Sequence, residues 1–172
     1  SMIIEERVER SQYVKLITWI VSFIILMAGI VFPVLILWVN QDMMSKVIGA
    51  SVLCLIFFTL IFTVAYQPRK LILSETHIIM ERILGQVYIS YSDITDISLY
   101  HRENVAEIRI FGIGGLGGYI GKFYNSKIGF YTAYVGDYSQ AFLIKINNRE
   151  KYVMSCRHAE KIVEEVKSRL KQ

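Results

Sequence analysis

Two stretches of this chain carry no charge, and they leave few choices of fold. LITWIVSFIILMAGIVFPVLILWV runs from Leu16 to Val39, and VIGASVLCLIFFTLIFTVAY from Val47 to Tyr66. As helices rising about 1.5 Å per residue they reach roughly 36 and 30 Å, enough to cross the hydrocarbon core of a bilayer. Uncharged runs this long argue against a pair of buried core helices. A secretory leader is shorter and is not followed at once by a second span. Both stretches are therefore expected to cross a membrane, with Trp19, Trp38 and Tyr66 near the headgroups.

Only NQDMMSK, residues 40–46, separates the two, so they form a helical hairpin with both ends on one side. Arg7, Arg10 and Lys15 precede the first span, Arg69 and Lys70 follow the second, and the turn has Lys46 alone. This bias places both termini in the cytoplasm of a multi-pass protein of the cytoplasmic membrane. The division expected is a cytoplasmic N-terminal segment 1–15, a two-helix hairpin 16–66 (16–39 and 47–66) and a cytoplasmic domain 67–172. No carboxylate, imidazole or amine lies at membrane depth, where an ion pathway would need one. Pro33 leaves the carbonyl of Gly29 without its helical partner and is read as a packing accommodation. Cys54 and Cys156 fall on opposite sides of the membrane boundary and read as free thiols.

From Gln67 onward the texture changes. This segment holds 15 Lys and Arg against 11 Asp and Glu, and so carries the whole net charge of +4. That suits an anionic leaflet close by and is too little for a nucleic-acid partner. Short alternating runs read as strands: 70–74, 77–83, 86–91, 94–100, 107–111, 129–135, 141–146 and 151–155. Asn147 and Asn148 suit the last hairpin turn. Ala159, Ile162, Val163, Val166 and Leu170 then fall on one face of a C-terminal helix, with Ser155 as its expected N-cap.

RKLILSETHIIMERILGQVYISYSDITDISL, FGIGGLGGYIGKFYNSKIGFYTAYVGD, and KYVMSC with the helix from Arg157 together resemble the bacterial pleckstrin-homology-like (PH-like) domains, in one short branch of that family. The resemblance covers about Lys70 to Leu170. It implies a mixed α+β, mostly β barrel of about seven antiparallel strands capped by the C-terminal helix, here behind a membrane α-helical hairpin. It implies no catalytic activity and carries over no ligand residues. The turn Ser74-Glu75-Thr76-His77 contains an acid, with Lys70 and Arg82 nearby but unclustered, so inositol phosphate recognition is not expected there.

Gly112, Gly114 and Gly117 spell the G-x-G-x-x-G of a dinucleotide loop. That loop needs a helix directly after it, and more strand-like sequence follows instead. His77, His101 and His158 have no ligand spacing, Asp93 and Asp96 read as a local turn, and no nucleophile or phosphate-loop context appears. No catalytic residue, cofactor or metal is expected. The glycine run reads as a contact loop for lipid or protein, comprising Gly114, Gly115, Gly117, Gly118, Lys122, Phe123, Tyr124 and Lys127, unless its aromatics simply fill the barrel. The expected role is non-enzymatic: a membrane-anchored binding, scaffolding or regulatory module. The partners considered are the membrane itself, anionic lipid, an unknown protein and a second copy of the chain. A lipid-sensing or lipid-binding protein, or an accessory subunit of a membrane enzyme or transporter, is the alternative.

Overall fold

The computed structural model describes residues 3–39, 42–102, 107–147 and 149–171. Residues 40 and 41 of the inter-span turn and Asn148 lie outside the described residues. A helix caps itself at Ser11, whose Oγ accepts from the Val14 N–H at 3.1 Å, and runs as α1 (Gln12–Ile24). It widens into a π-helical stretch (Ile25–Val31) and resumes as α2 (Phe32–Val39). The widening ends just before Pro33, whose ring has no N–H to offer the preceding turn. α3 (Met43–Tyr66) returns antiparallel beside it.

Small residues set the contact between the two. A Cβ on Gly29 would lie 2.5 Å from Ile56 Cδ1, and one on Gly49 would lie 3.3 Å from Leu37 Cγ and 3.5 Å from the Pro33 carbonyl. Close approach at Gly49 thus buries Pro33, the packing role read for it. Elsewhere the pair is bare, with Trp19, Phe23, Phe32, Leu55, Phe58 and Ile61 all exposed. Both helices are long and apolar enough to cross a membrane.

Ten strands form two sheets among the described residues, one before the helix pair and nine after it. The first sheet orders β1 (Ile4–Arg7), β2 (Pro68–Leu73), β3 (His77–Arg82) and β4 (Gln86–Ser90), all antiparallel. The second contains β5 (Ile94–Leu99), β6 (Glu107–Gly114), β7 (Tyr119–Asn125), β8 (Gly129–Val135), β9 (Ala141–Ile146) and β10 (Lys151–Ser155), in the order β5-β9-β10-β8-β7-β6. Within it β10 lies parallel to β8 and every other pair is antiparallel. Two strands go beyond the sequence reading. β7 grows out of the glycine run, and β1 comes from the far side of the helix pair. Four residues before a span carry no strand signal; only pairing with β2, at Arg7 opposite Lys70, makes them one.

α4 (Ala159–Leu170) closes one end of the sheets against β5 and β9. Its stripe is the expected one: Ala159, Ile162, Val163 and Val166 are buried. Each large aliphatic side chain so covered contributes about 1.5–3 kcal/mol. The cap is not Ser155. His158 precedes the helix with φ of 59°, while buried Ser155 Oγ accepts from the Gly136 N–H at 2.9 Å. Two cores result. One is aliphatic, around Leu71, Ile78, Met80, Phe142, Ile144, Met154 and Val166. The other gathers Tyr100, Tyr119, Phe123, Tyr131 and Tyr138 with Val14 of α1.

Candidate functional site at the base of the helix pair

The glycine run folds as the tight hairpin joining β6 to β7, and its reason for glycine is local. Gly112 and Gly121 face each other across the ladder, both at positive φ. A Cβ on either would stand 2.1 or 2.2 Å from the opposite strand's carbonyl oxygen. Only glycine permits that approach. No helix follows Gly117, so the phosphate-loop geometry is absent.

The hairpin tip is held by both helices. The Gly117 N–H donates to Thr18 Oγ1 of α1 at 2.8 Å, and the Gly117 carbonyl accepts from Gln67 Nε2, at the end of α3, at 2.8 Å. Thr63 and Gln67 are both buried there, and a Cβ on Gly117 would meet Gln67 Nε2 at 2.7 Å. Gly115 abuts Ile17. Three further ties fasten the same base. Leu84 of the β3–β4 turn donates to the Ala65 carbonyl at 2.9 Å, and Ser11 donates to the Gly136 carbonyl at 3.0 Å. The Arg82 guanidinium stands 4.9 Å over the Tyr66 ring and 5.6 Å over that of Tyr134.

The eight residues read as a contact loop therefore separate. Gly115, Gly117 and Gly118 are buried at the helix junction, while Gly114 is exposed. Phe123 does not reach the surface: alternation along β7 turns it inward, where it stacks on Tyr131 at 5.7 Å. Lys122 and Tyr124 point the other way. Lys122 Nζ donates to Thr132 Oγ1 at 2.7 Å, and Tyr124 packs on exposed Phe130 at 4.9 Å. Lys127 is exposed in the β7–β8 turn, its backbone N–H on Asn125 Oδ1.

Beside the hairpin lies a cleft of about 720 Å³, lined by Ser11, Arg102, Glu107, Arg109, Tyr119, Asp137 and Tyr138 among others. Glu107, whose side chain is only 7% exposed, organises it. Arg102 Nε donates to one of its carboxylate oxygens at 2.6 Å; Tyr100 at 3.2 Å and Tyr131 donate to the other. Arg102 also lies over the rings of Tyr138, at 4.5 Å, and Tyr119, at 5.2 Å. Burial first, then the Glu107 charge, pushes the Tyr100 hydroxyl up to about 12. Burial, together with the neighbouring Tyr138, raises Tyr131 further. These hydroxyls stay protonated and act as donors. Alternating aromatic residues gave the strands, but nothing in the spacing announced that Glu107 would collect them.

A second groove was likewise invisible in sequence. Pairing of β1 with β2 brings Arg7 beside Arg69, Lys70 and Arg82, with Glu81 and Ile83, around about 570 Å³. Lys70 and Arg82, read as unclustered, thus stand with Arg7 and Arg69 in a mainly cationic groove, because β1 brings Arg7 from a distant part of the chain. The acidic turn sits at the opposite end. There the Ser74 carbonyl accepts from Arg169 of α4 at 2.6 Å and from the Tyr91 hydroxyl at 2.7 Å. The histidines are dispersed: His77 beside Thr76, His158 beside Glu6, and His101 exposed. No group of three His, Cys, Asp or Glu side chains suited to a metal occurs among the described residues.

Two apolar helices, two sheets and a closing C-terminal helix define a PH-like domain carried on a helix pair. The chain belongs to the bacterial PH domain family, whose model matches residues 69–170. No curated protein and no solved structure matches it.

Proposed function

We propose that this is a multi-pass protein of the cytoplasmic membrane, both termini cytoplasmic, whose PH-like domain is a non-enzymatic binding, scaffolding or regulatory module. The observation that carries the reading is the clasp on Gly117, bonded to Thr18 on one helix and Gln67 on the other. A domain on a loose tether samples all orientations. One bonded to both spans presents a fixed face at the membrane surface, which is what a docking module needs. The positive flanks at Arg7, Arg10, Lys15, Arg69 and Lys70 support the orientation.

The test has two parts. In intact cells, a membrane-impermeant maleimide should label Asp42→Cys in the turn and leave Glu164→Cys on α4 unlabelled; the reverse pattern overturns the orientation. Crosslinking in native membranes, then purification of the full chain in mild detergent, should recover a stoichiometric protein partner or a second copy. Recovery of the uncrosslinked chain alone counts against a scaffold. The cleft under Arg102 and Arg109 favours one second reading, a lipid-sensing protein. That reading predicts co-purified lipid in native mass spectrometry, lost on Arg109→Glu. An accessory-subunit role would instead show a membrane enzyme or transporter as the recovered partner.

A further inference from the structure

The domain has an apolar edge that the barrel's folding does not explain. Ile83 and Leu84 at the β3–β4 turn are 52% and 58% exposed. Ile108, Ile110 and Phe111 on β6 are 55%, 55% and 69% exposed. The β3–β4 turn and the Ile110–Ile113 part of β6 stand next to the helix pair. Leu84 is bonded to Ala65, four residues inside Arg69, and the β6–β7 tip is bonded to Thr18, three residues inside Lys15. Both turns are thus held inside the last charges flanking the spans, the β6–β7 tip by about 4–5 Å of helix at about 1.5 Å per residue.

We propose that this edge is immersed in the cytoplasmic surface of the same bilayer that the helices cross, with anionic headgroups against the cationic groove behind it. The inference rests on the membrane reading above. Its central observation is a groove of about 470 Å³ between β6 and α3. Ile110, Phe111, Gly112 and Ile113 form one wall, and Phe58, Thr59 and Phe62 the other. Phe58 is eight residues before Tyr66, so this wall reaches about 12 Å into the span. An aqueous protein cannot enter a groove whose wall is lipid-facing helix, whereas an acyl chain can.

The tip's polar groups fit that depth, while β6, the edge strand of its sheet, keeps its outer row of N–H and C=O groups for the hydrated headgroups. Backbone near hydrocarbon must find its partners within the protein. The tip does so: the Gly115 N–H donates to the Gly118 carbonyl at 2.9 Å, and Thr18 and Gln67 satisfy Gly117. Arg109 lines the groove from the cleft side, where its long stem can lie along apolar surface with the guanidinium in the headgroups. Arg7, Arg69 and Arg82 lie beside Ile83, where an anionic leaflet would meet them; Lys70 is paired with Glu5 at 2.9 Å, and Glu81 lines the same groove. The arrangement is amphipathic in the sense of an interfacial helix, built here from a strand and a turn.

The experiment uses the full chain in vesicles of mixed phosphatidylcholine and phosphatidylglycerol, with or without bromine on the acyl chains. An environment-sensitive fluorophore is placed at the native Cys54, or at Leu84→Cys, Phe111→Cys or Glu164→Cys in a Cys54→Ser background. Brominated lipid should quench Cys54 strongly and quench positions 84 and 111 at least threefold more than position 164. Loss of quenching at Cys54 overturns the membrane reading itself. Quenching at Cys54, with positions 84 and 111 matching 164, overturns the inference alone. A dry, unquenched probe at 111 that shows probe-to-probe transfer rising with protein-to-lipid ratio also overturns it and assigns β6 to a second copy.

Discussion

The two cores of the domain are built from different chemistry. The end closed by α4 is mostly aliphatic and held by shape: Leu71, Ile78, Met80, Ile144 and Ile162 interlock around the Phe142 ring. The end beside the helices is a set of tyrosines around one carboxylate, with Arg102 and Asn125 completing its hydrogen bonds. Such a network is directional, and every donor in it depends on Glu107 or a neighbour. The aliphatic end specifies the fold. The tyrosine end adds a cleft, half-exposed charge and a junction with α1, features a core meant only for stability does not need. On this contrast, the proposed function is assigned to the helix-proximal end.

Four measurements on the full chain in detergent would break or sharpen that contrast. Phe142→Ala should cost about 4 kcal/mol, the range for emptying a buried aromatic position, and lower protection from hydrogen exchange across both sheets. Glu107→Ala should cost about 3 kcal/mol, because it strands Arg102 and the Tyr100 and Tyr131 hydroxyls. Its exchange should rise in β6 to β8 while α4 stays protected; equal loss in α4 would show that the two ends are one cooperative unit. Glu107→Gln, which keeps an acceptor, should cost less. Gly117→Ala, at φ of 74° against Gln67, should cost about 2 kcal/mol. It should also broaden spin-label distances between α3 and β7, and an unchanged distribution would deny the clasp.

Alkali tests the tyrosine end alone. The Tyr100 hydroxyl ionises near 10.0 when unfolded and is pushed up to about 12 in the fold, with Tyr131 and Tyr138 also raised, so the folded state holds protons that the unfolded state has released. Stability is therefore full below pH 10.0 and falls as pH rises toward about 12. The share of tyrosinate absorbance that Tyr100→Phe removes should appear together with loss of the near-ultraviolet dichroism of the tyrosine end. That share rising well before the loss would mean the cluster is open to solvent.

Much of this molecule was legible beforehand, and for identifiable reasons. Twenty or more uncharged residues can only be two long apolar helices, because one charge at that depth costs too much to recur by chance. The stripe from Ala159 to Leu170 could only be a helix lying on a sheet. Alternation from Lys70 onward gave most of the strands. Those signals are local: each is written within a few turns of chain. The sites are not. Arg7 meets Arg69 and Arg82 because β1 pairs with a strand sixty residues away. Glu107 gathers Tyr100 and Tyr131 from two other segments, and its polar place in a strand pattern hid that. Phe123 looked like its neighbours Lys122 and Tyr124 until the register of β7 turned it inward. The glycine run was conspicuous from the start, yet its context could only exclude the phosphate loop. Its actual task, a hairpin thin enough to pass between Thr18 and Gln67, needed the two helices in place, since a tight approach is a property of both surfaces and is written in neither alone.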